Sequence, residues 1–449
     1  MELNQQLNNL SLQQQQQQEE DIYDVIVIGS GISGLATAHN LVKNNYKVKI
    51  LEARSVYGGR ISKNENLANF AVETGGEEIH LRKSAYFQLA KDMGADIISE
   101  ISHSIYFVEH PEKEEMITED DFFEQFPQYD IWDMTEKEYD QLSFDVSIKD
   151  YLEEKKIYSK CGKFYQNLLG TENGTQLSKI SWKGVQEYDK LVEKSDHSMI
   201  TNMSHYDVIT KAFGDVLPLI QYSSPVSKID YSDEKSIKIT IKDGRTFYSK
   251  QVLITVTISQ LKNNSIEFIP SLPQNKLDAI KTINFGISGK LQYRFKERFW
   301  PENFNSIILW DHDFGMTWNS SLCKDRSKSN VLTTLLVEEV AIKVEDEQIR
   351  KELISTFLKK LAKLFKNDKI PELLEDHIYT GYSTKEYIEG GYTTPTLHWT
   401  KERQDLAEPL QNRLFFGGEA TSILNHSTIH GAYESALVQT ENILLSNKK

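Results

Sequence analysis

A glycine-rich segment near the start of the chain has the residue types and spacing that bind phosphate groups. It consists of Gly29, Ser30, Gly31, Ile32, Ser33 and Gly34, which match the pattern GxGxxG. The first glycine of this pattern permits a tight turn, the second lets the backbone approach a pyrophosphate, and the third lets a helix pack closely on the preceding strand. The first N–H groups of that helix offer a partial positive charge to the phosphates. The segment therefore predicts a dinucleotide site.

A carboxylate occupies the position from which a ribose would be bound. Glu52 follows the next apolar run, roughly 20 residues beyond the last glycine, which is the usual distance in this type of site. Its carboxylate can accept hydrogen bonds from both ribose hydroxyl groups and would repel a 2′-phosphate. A second glycine-rich patch with two cations follows, and its candidate contact residues are Ala53, Arg54, Gly59, Arg60 and Gly76. A dinucleotide with a large tricyclic end needs such extra contacts, so the patch favours FAD over NAD.

The elements needed to position these motifs can be predicted from the sequence pattern. Residues 24–28 form an apolar, β-branched run that predicts a buried strand, and residues 34–44 have apolar residues at helical spacing. A second strand over 47–51 completes one nucleotide-binding half. Further along, the patterns predict a strand hairpin or meander over 227–256, a helix over 349–365, a strand reaching a glycine turn over 414–418 and a closing helix over 429–445.

The composition bears on the partners of the protein and on its N-terminal segment. The 449 residues include 51 Lys and Arg against 66 Asp and Glu, a formal net charge of −15. This charge disfavours a nucleic acid partner, and it fits either a cationic substrate or simple solubility. Residues 1–20 are polar and Gln-rich, which predicts a disordered tail and no signal peptide. The acidic stretch 110–126 is expected at the surface.

The sequence also bears on the cellular setting. No apolar run is long enough to cross a membrane. The two cysteines, Cys161 and Cys323, belong to no metal-binding or disulfide pattern. We therefore expect a reducing, cytoplasmic setting and no metal site.

Longer motifs at both ends of the chain carry a resemblance to a known family. Residues 29–41 and 51–60 are similar to GxGxxGLxxAxxL and LEARxRxGGR of the flavin-containing amine oxidases, with Val56 at the second arginine. That family includes monoamine oxidases, polyamine oxidases and lysine-specific histone demethylases. Residues 414–421 and 428–432 resemble its strand and turn at the pyrophosphate and the start of its last helix. The resemblance implies an α/β fold, with a discontinuous Rossmann-like FAD-binding domain and an α+β substrate domain.

The resemblance also indicates which residues contact FAD. In the family, the start of the last helix faces the N1–C2=O edge of the flavin and stabilises the anion formed on reduction. The residues that it adds to the two glycine-rich segments are Glu77, Glu78, Val226, Gly418, Glu419, Thr428 and Ile429. FAD is expected to be non-covalent, because Gly391 stands where monoamine oxidases have the cysteine that tethers the flavin.

Four residues are candidates for the chemistry. Residues 286–295 resemble the family's Gly-x-x-x-Lys-x-x-x-x-Phe strand, whose lysine holds a water at flavin N5, and Lys290 takes that position. The resemblance places Tyr392 and Thr428 at the walls of the substrate cage, where Thr428 leaves one aromatic wall missing. His80 lies in a segment similar to Gln-Trp-Ile-His of some polyamine oxidases and would bind one end of a polyamine. The alternatives are a solvated strand lysine, a core tyrosine and a structural histidine.

These features define an expected organisation and activity. The FAD-binding domain is expected over 21–85, 217–288 and 389–449, and the substrate domain over 86–216 and 289–388. The expected reaction is oxidation of an amine by hydride transfer to the flavin, with O2 giving H2O2. An L-amino-acid oxidase, another flavin oxidoreductase on the same scaffold or a flavin-binding protein without turnover stays open. A nuclear demethylase is not expected, because we see no room for a chromatin-binding domain or a long helical hairpin.

The residue at the tether position generates a prediction. We expect the purified protein to be yellow and to release its flavin on denaturation in acid, because Gly391 has no side chain that could form a thioether. The measurement is the flavin absorbance of the supernatant after acid precipitation. Flavin that sediments with the protein would contradict non-covalent binding.

Overall fold

Two sheets with surrounding helices organise the chain. The computed structural model describes residues 22–99, 104–132, 145–191, 198–310, 314–322, 324, 329–396 and 399–447. The expected N-terminal tail and Cys323 lie outside these residues. The strands are β1 (Ile22–Ile28), β2 (Val48–Leu51), β3 (Lys63–Asn64), β4 (Val72–Glu73), β5 (Ile97–Ser99), β6 (Ile105–Glu109), β7 (Met116–Thr118), β8 (Ser198–Ile200), β9 (Ile220–Gln221), β10 (Val226–Asp230), β11 (Ile237–Ile241), β12 (Thr246–Ile254), β13 (Glu267–Ile269), β14 (Asn284–Phe285), β15 (Ser288–Phe295), β16 (Phe304–Ile308), β17 (Met316–Asn319), β18 (Asn330–Val337), β19 (Leu374–Gly381), β20 (Thr393–Thr394) and β21 (Leu414–Phe416).

The helices connect and cover these strands. They are α1 (Ile32–Lys43), α2 (Ala85–Asp92), α3 (Glu119–Gln125), α4 (Ile148–Glu154), α5 (Tyr158–Tyr165), α6 (Trp182–Leu191), α7 (His205–Ala212), α8 (Ile258–Lys262), α9 (Gln274–Thr282), α10 (Glu338–Lys343), α11 (Glu347–Leu364), α12 (Ile370–Leu373), α13 (Trp399–Ala407) and α14 (Ile429–Ser446). Within the described parts of the chain, no helix combines the length and apolar character needed to cross a membrane.

The first sheet carries the dinucleotide motif. Its strand order is β13-β10-β11-β12-β1-β2-β9, and β21 pairs with the C-terminal end of β12. β1 and β2 are parallel, and the motif follows β1 directly. α1 and α14 pack on one face of the sheet, and α8, α9 and α13 pack on the other. Both faces are therefore covered, which explains why residues 25–28 of β1 form an uninterrupted apolar run.

The second sheet presents one apolar and one polar face. Its order is β19-β15-β18-β17-β16-β6-β7. Leu291 and Tyr293 of β15 pack among buried residues of α11, including Phe357. Because side chains alternate along a strand, Lys290 and Gln292 lie on the opposite face, where both reach the backbone of residue 73. The polar face of this sheet is therefore turned toward the first part of the chain.

We call each of the two sheets, together with the helices that pack on it, a unit. The first and second units meet where the chain approaches itself closely. A side chain would not fit at Gly286, just before β15, because a Cβ there would lie 2.1 Å from the carbonyl oxygen of Gly174. The N–H of Gly286 donates to the carbonyl of Tyr392 at 2.9 Å, and its own carbonyl accepts from the N–H of Gly391 at 2.7 Å. These two hydrogen bonds join the start of β15, the strand that carries Lys290, to residues 390–394. The division of the chain made from the sequence stays a proposal, because buried residues of α2 and α7, which it assigns to the substrate domain, pack in the same core as α1.

The elements predicted around the first motif and toward the C-terminus are present. The acidic stretch 110–126 lies largely at the surface, as expected, and it also contains β7 and α3. Phe122 is fully buried, and its ring centroid lies 5.1 Å from that of Phe164 and 5.6 Å from that of Trp310. Phe122 on this acidic helix, with Phe123 and Phe126 packed against the same cluster, therefore anchors the segment to the core.

One buried lysine joins two helices of the first unit and generates a prediction. Lys276 of α9 donates to the carbonyls of Asp405, Leu406 and Glu408 at 2.8, 2.9 and 2.8 Å, at the end of α13. The carbonyls of Asp405 and Leu406 lie in the last turn of α13, where they lack partners within the helix. Lys276→Met should therefore lower the free energy of unfolding by about 2–4 kcal/mol. Urea denaturation of the FAD-loaded protein measures this change. Lys281→Met, exposed on the same helix, is the control, and an equal loss in both variants would contradict the assignment.

Candidate active site

The predicted phosphate-binding turn has the geometry that close approach of a ligand requires. Gly29 has φ +102°, which other residues rarely adopt. A Cβ on Gly34 would lie 2.1 Å from the carbonyl oxygen of Gly29, so the third glycine is required by packing. A Cβ on Gly31 would meet no atom within 4 Å. The backbone at Gly31 is therefore open on the side from which a pyrophosphate would approach.

A second open turn lies beside the first. The N–H of Gly418 donates to Ser435 Oγ on α14 at 2.9 Å, and the same hydroxyl lies 3.2 Å from Ser33 Oγ at the start of α1. A Cβ on Gly418 would also meet no atom within 4 Å, and one on Gly59 would lie 3.5 Å from the Cα of Gly31. Backbone from three distant segments thus borders one region, as the binding of an extended dinucleotide requires.

Glu52 lies buried at the end of β2, beside the first turn. Its Oε2 accepts from the N–H and the hydroxyl of Ser30 at 2.8 and 2.5 Å, and its Oε1 accepts from the N–H of Arg54 at 2.9 Å. A carboxylate has about four acceptor sites, so it can also accept from a ribose. The carbonyl of Glu52 accepts from the N–H of Ser224, two residues before Val226 in β10. The residues present therefore fit the adenosine end of FAD.

Glu419 forms a buried ion pair at the second turn. Its Oε1 lies 2.8 Å from Nη1 of Arg60, which also donates to the carbonyl of Gly391 at 2.8 Å. Its Oε2 accepts from Thr393 Oγ1 at 2.6 Å and from the N–H of Ser427 at 2.9 Å. Burial alone would raise the pKa of Glu419, but the charge of Arg60 and these hydrogen bonds lower it to about 2. Glu419, expected at the cofactor, thus connects three protein segments.

Lys290 is buried and paired with a carboxylate. Its Nζ lies 2.6 Å from Oε2 of Glu77 and 3.3 Å from the carbonyl oxygen of Glu73, and it stands 5.1 Å from the ring centroid of Trp318. The side chains of Lys290 and Glu77 are 8% and 7% exposed. From the sequence we expected a flavin-bound water as the partner of this lysine and expected Glu77 at the cofactor. In the structure, Glu77 is itself the partner.

Strand pairing brings further residues to this face that the sequence did not reveal. Gln292 pairs in register with Thr333 of β18, which pairs with Trp318 of β17. All three side chains therefore share the face that carries Lys290. No motif surrounds Trp318, so no local signal could have identified it. The sequence signal for Glu77 was its charge, since two consecutive acidic residues follow the glycines at 75–76.

Tyr392 packs between the two units. Its hydroxyl donates to the carbonyl of Thr171 at 2.6 Å, and its ring lies 2.8 Å from where a Cβ on Gly174 would stand. Burial raises the pKa of Tyr392, so this hydroxyl stays protonated. A Cβ on the neighbouring Gly391 would lie 2.1 Å from Ser288 Oγ, which leaves no room for a tethering cysteine.

Thr428 begins the closing helix α14. Its hydroxyl accepts from the N–H of Gly431 at 2.9 Å and donates to the carbonyl of Asn425 at 2.7 Å. Thr428 is therefore the N-cap of this helix, and its hydroxyl is engaged in the cap. A Cβ on Gly76 would lie 2.7 Å from Cδ1 of Ile429, so the start of α14 rests against the second glycine patch.

His80 lies among polar groups at the outer side of this region. Its Nδ1 is 3.8 Å from Oε2 of Glu78, and its ring centroid is 6.5 Å from that of His430. Burial, and then the charge of His80, lower the pKa of His430 to about 3. Burial raises the pKa of Tyr106, and the charges of Glu78 and Glu119 raise it further.

Comparisons with known proteins agree with this architecture. The family described as flavin containing amine oxidoreductase matches residues 216–444, and the NAD(P)-binding Rossmann-like domain matches residues 27–93. Human lysine-specific histone demethylase 2 is 26% identical over 455 residues, which cover 93% of this chain and 53% of that protein. Probable polyamine oxidase 4 of Arabidopsis thaliana is 25% identical over 446 residues, which cover 93% of this chain and 86% of that protein.

A solved structure shows the same fold. Cyclohexylamine oxidase from Brevibacterium oxydans superposes with a TM-score of 0.78 at 16% identity, covering 95% of this chain and all of that one. The chain spans about half the length of the histone demethylases that it matches. The family match covers more than half of the chain. Because it includes both the strand of Lys290 and the helix that closes the glycine turns, this chain belongs to the flavin-containing amine oxidoreductases.

Proposed function

We propose that this oxidoreductase binds FAD, the cofactor of its family, non-covalently and oxidises a small monoamine or polyamine with O2, giving H2O2. The observation that carries the proposal is the position of Lys290. It projects from the second sheet onto residues 73–77 of the cofactor-binding unit. A buried ammonium at this place suits a cofactor that gains negative charge on reduction.

In this proposal the residues of the chain bind and orient the reactants. The open backbone at Gly31 and Gly418 holds the pyrophosphate, and Glu52 holds a ribose. The first N–H groups of α14 direct a partial positive charge at the flavin. When bound, FAD supplies the redox chemistry, taking a hydride from the amine and passing electrons to O2. Lys290 holds a proton and a positive charge beside this reaction.

The charge distribution near His80 supports a cationic substrate. Oε2 of Glu78 lies 3.8 Å from Nδ1 of His80, and the chain carries a net charge of −15. A region of negative potential raises the local concentration of ammonium compounds. An amine that arrives as an ammonium must then lose its proton before a hydride can leave the adjacent carbon.

A methylated lysine side chain is a second candidate substrate. The relatives named lysine-specific histone demethylases match 93% of this chain, which favours it. The bond to be oxidised is again a C–H beside an amine nitrogen, so the same residues serve both substrates.

The substrate class can be tested with one panel. The purified protein is mixed separately with monoamines, diamines, polyamines, L-amino acids and an N-methyl-lysine peptide, and H2O2 is measured. H2O2 from the small amines supports the proposal, and H2O2 from the peptide alone supports the second candidate. Product from amino acids alone would indicate an amino-acid oxidase. A flavin that no compound bleaches without O2 would indicate a flavin-binding protein without turnover.

The position of Glu52 predicts a selective loss of cofactor affinity. Glu52→Ala should weaken FAD binding by about 1.5–3 kcal/mol, because hydrogen bonds to a charged group are lost. The rate of flavin reduction at saturating FAD should change much less. Titration of apoprotein with FAD measures the dissociation constant, with the exposed Glu65→Ala as control. An unchanged dissociation constant would place Glu52 away from the ribose.

The position of Lys290 predicts a loss of rate without loss of cofactor. Lys290→Met keeps much of the side-chain length but removes the charge, and it should slow the flavin half-reactions about 10²–10³-fold. Stopped-flow absorbance follows bleaching by amine without O2 and then recolouring by O2. The control is Lys296→Met, an exposed lysine directly after the same strand. Rates within about twofold of the wild type would show that Lys290 is an ordinary strand lysine.

A further inference from the structure

The Lys290–Glu77 pair places two charges out of water. Their side chains are 8% and 7% exposed, and the two charged atoms are 2.6 Å apart. Removing an ammonium from water costs several kcal/mol unless a counter-charge lies beside it. Among the described residues, Glu77 is the carboxylate at ion-pair distance from Lys290. The charge on this lysine therefore depends on Glu77.

A second carboxyl group, that of Glu73, lies nearby but does not supply the counter-charge of Lys290. Glu73 is buried, and its Oε1 accepts from the N–H of His205 at 2.7 Å. Burial raises the pKa of Glu73 to about 8, although that hydrogen bond and the charges of Lys324 and Lys290 oppose the rise. At neutral pH Glu73 is therefore mostly protonated. The negative charge that faces Lys290 belongs to Glu77.

The other titratable groups packed around Lys290 and Glu77 do not supply a negative charge in place of Glu77. Burial lowers the pKa of His205 to about 4 and raises that of Tyr86 well above its usual value, so both are neutral near pH 7. Lys324 donates to the carbonyl of Ile200 and borders, with Glu73 and Glu77, a cavity of about 10 Å³. A space of this size holds at most one water.

We propose that Glu77 is a positioning residue that keeps Lys290 protonated, so that flavin reoxidation by O2 stays fast across neutral and mildly alkaline pH. The inference rests on the proposed function, in which the Lys290 ammonium aids reoxidation. If the carboxylate is removed, burial favours the uncharged amine, and Lys290 loses its proton at lower pH. The rate of flavin reoxidation then falls as Lys290 loses its proton.

The test uses the full-length, FAD-loaded protein. Wild type, Glu77→Gln, Glu77→Asp, Lys290→Met and the Glu77→Gln/Lys290→Met double variant are reduced with dithionite and mixed with O2 between about pH 6 and pH 9. Since dithionite replaces the amine, the result does not depend on the substrate. An amine panel without H2O2 would therefore refute the proposed function and still leave the role of Glu77 decided by this experiment.

We expect Glu77→Gln to be reoxidised near the wild-type rate at the acidic end and about tenfold more slowly by pH 8, above which Glu73 ionises and supplies a second carboxylate near Lys290. Wild type and Glu77→Asp should show no such decline. Glu73→Gln is the matched control, because it replaces a neighbouring buried acid that is already protonated, and its profile should follow the wild type below about pH 8. In the Lys290→Met background, Glu77→Gln should have no further effect on the rate.

Unfolding provides a readout that is independent of turnover. Glu77→Gln leaves a buried cation unpaired, so its melting temperature should fall by about 5 °C or more, and the double variant should recover most of that loss. Three results would overturn the proposal. They are a Glu77→Gln profile that matches the wild type at every pH, a loss of rate that is equal at every pH, and a Lys290→Met variant that is reoxidised at the wild-type rate.

Discussion

A buried charge must be paired, and this constraint connects the segments from which the site is built. Arg60 and Glu419 are separated by more than three hundred residues of chain, and Glu77 and Lys290 by more than two hundred. Each pair costs desolvation energy, so neither is strong evidence for stability. Breaking either pair would leave a group in the interior without its counter-charge. The pairs therefore specify which segments lie together, while the apolar clusters on either side of the first sheet supply most of the burial.

The two pairs also divide the site into parts with different demands. Arg60 and Glu419 lie among hydrogen bonds to Thr393 and Ser427, which hold the glycine turns in place. Lys290 and Glu77 lie between the sheets, where the chemistry is proposed. The first pair has to stay charged. The pKa of Glu419, about 2, keeps its carboxylate ionised at neutral pH. The second pair lies next to Glu73, which burial keeps mostly protonated at neutral pH, since its pKa is about 8.

The sequence could predict what is encoded locally. The glycine motif, the apolar strand before it and Glu52 lie within a short segment, so spacing alone indicated their roles. Lys290 could be identified because its strand resembles a family motif. The partner of Lys290 could not, because Glu77 reaches it only after the second sheet has folded against the first unit. Trp318 reaches the same face only through the register of β17 on β18. The buried position of Phe122 was missed because acidic neighbours outweigh the apolar residues in the local pattern.

The hydroxyl of Ser435 touches both glycine turns, although Ser33 and Ser435 stand at opposite ends of the chain. A ribosome that has released the first of these turns must still synthesise some four hundred residues before the second can dock, as the sequence separation of that contact implies. Contacts of such long range form late in folding. The complete cofactor site therefore forms only after α14 has docked. Capture of the cofactor becomes one of the last steps of maturation, which makes cellular flavin supply a determinant of how much chain reaches its final state.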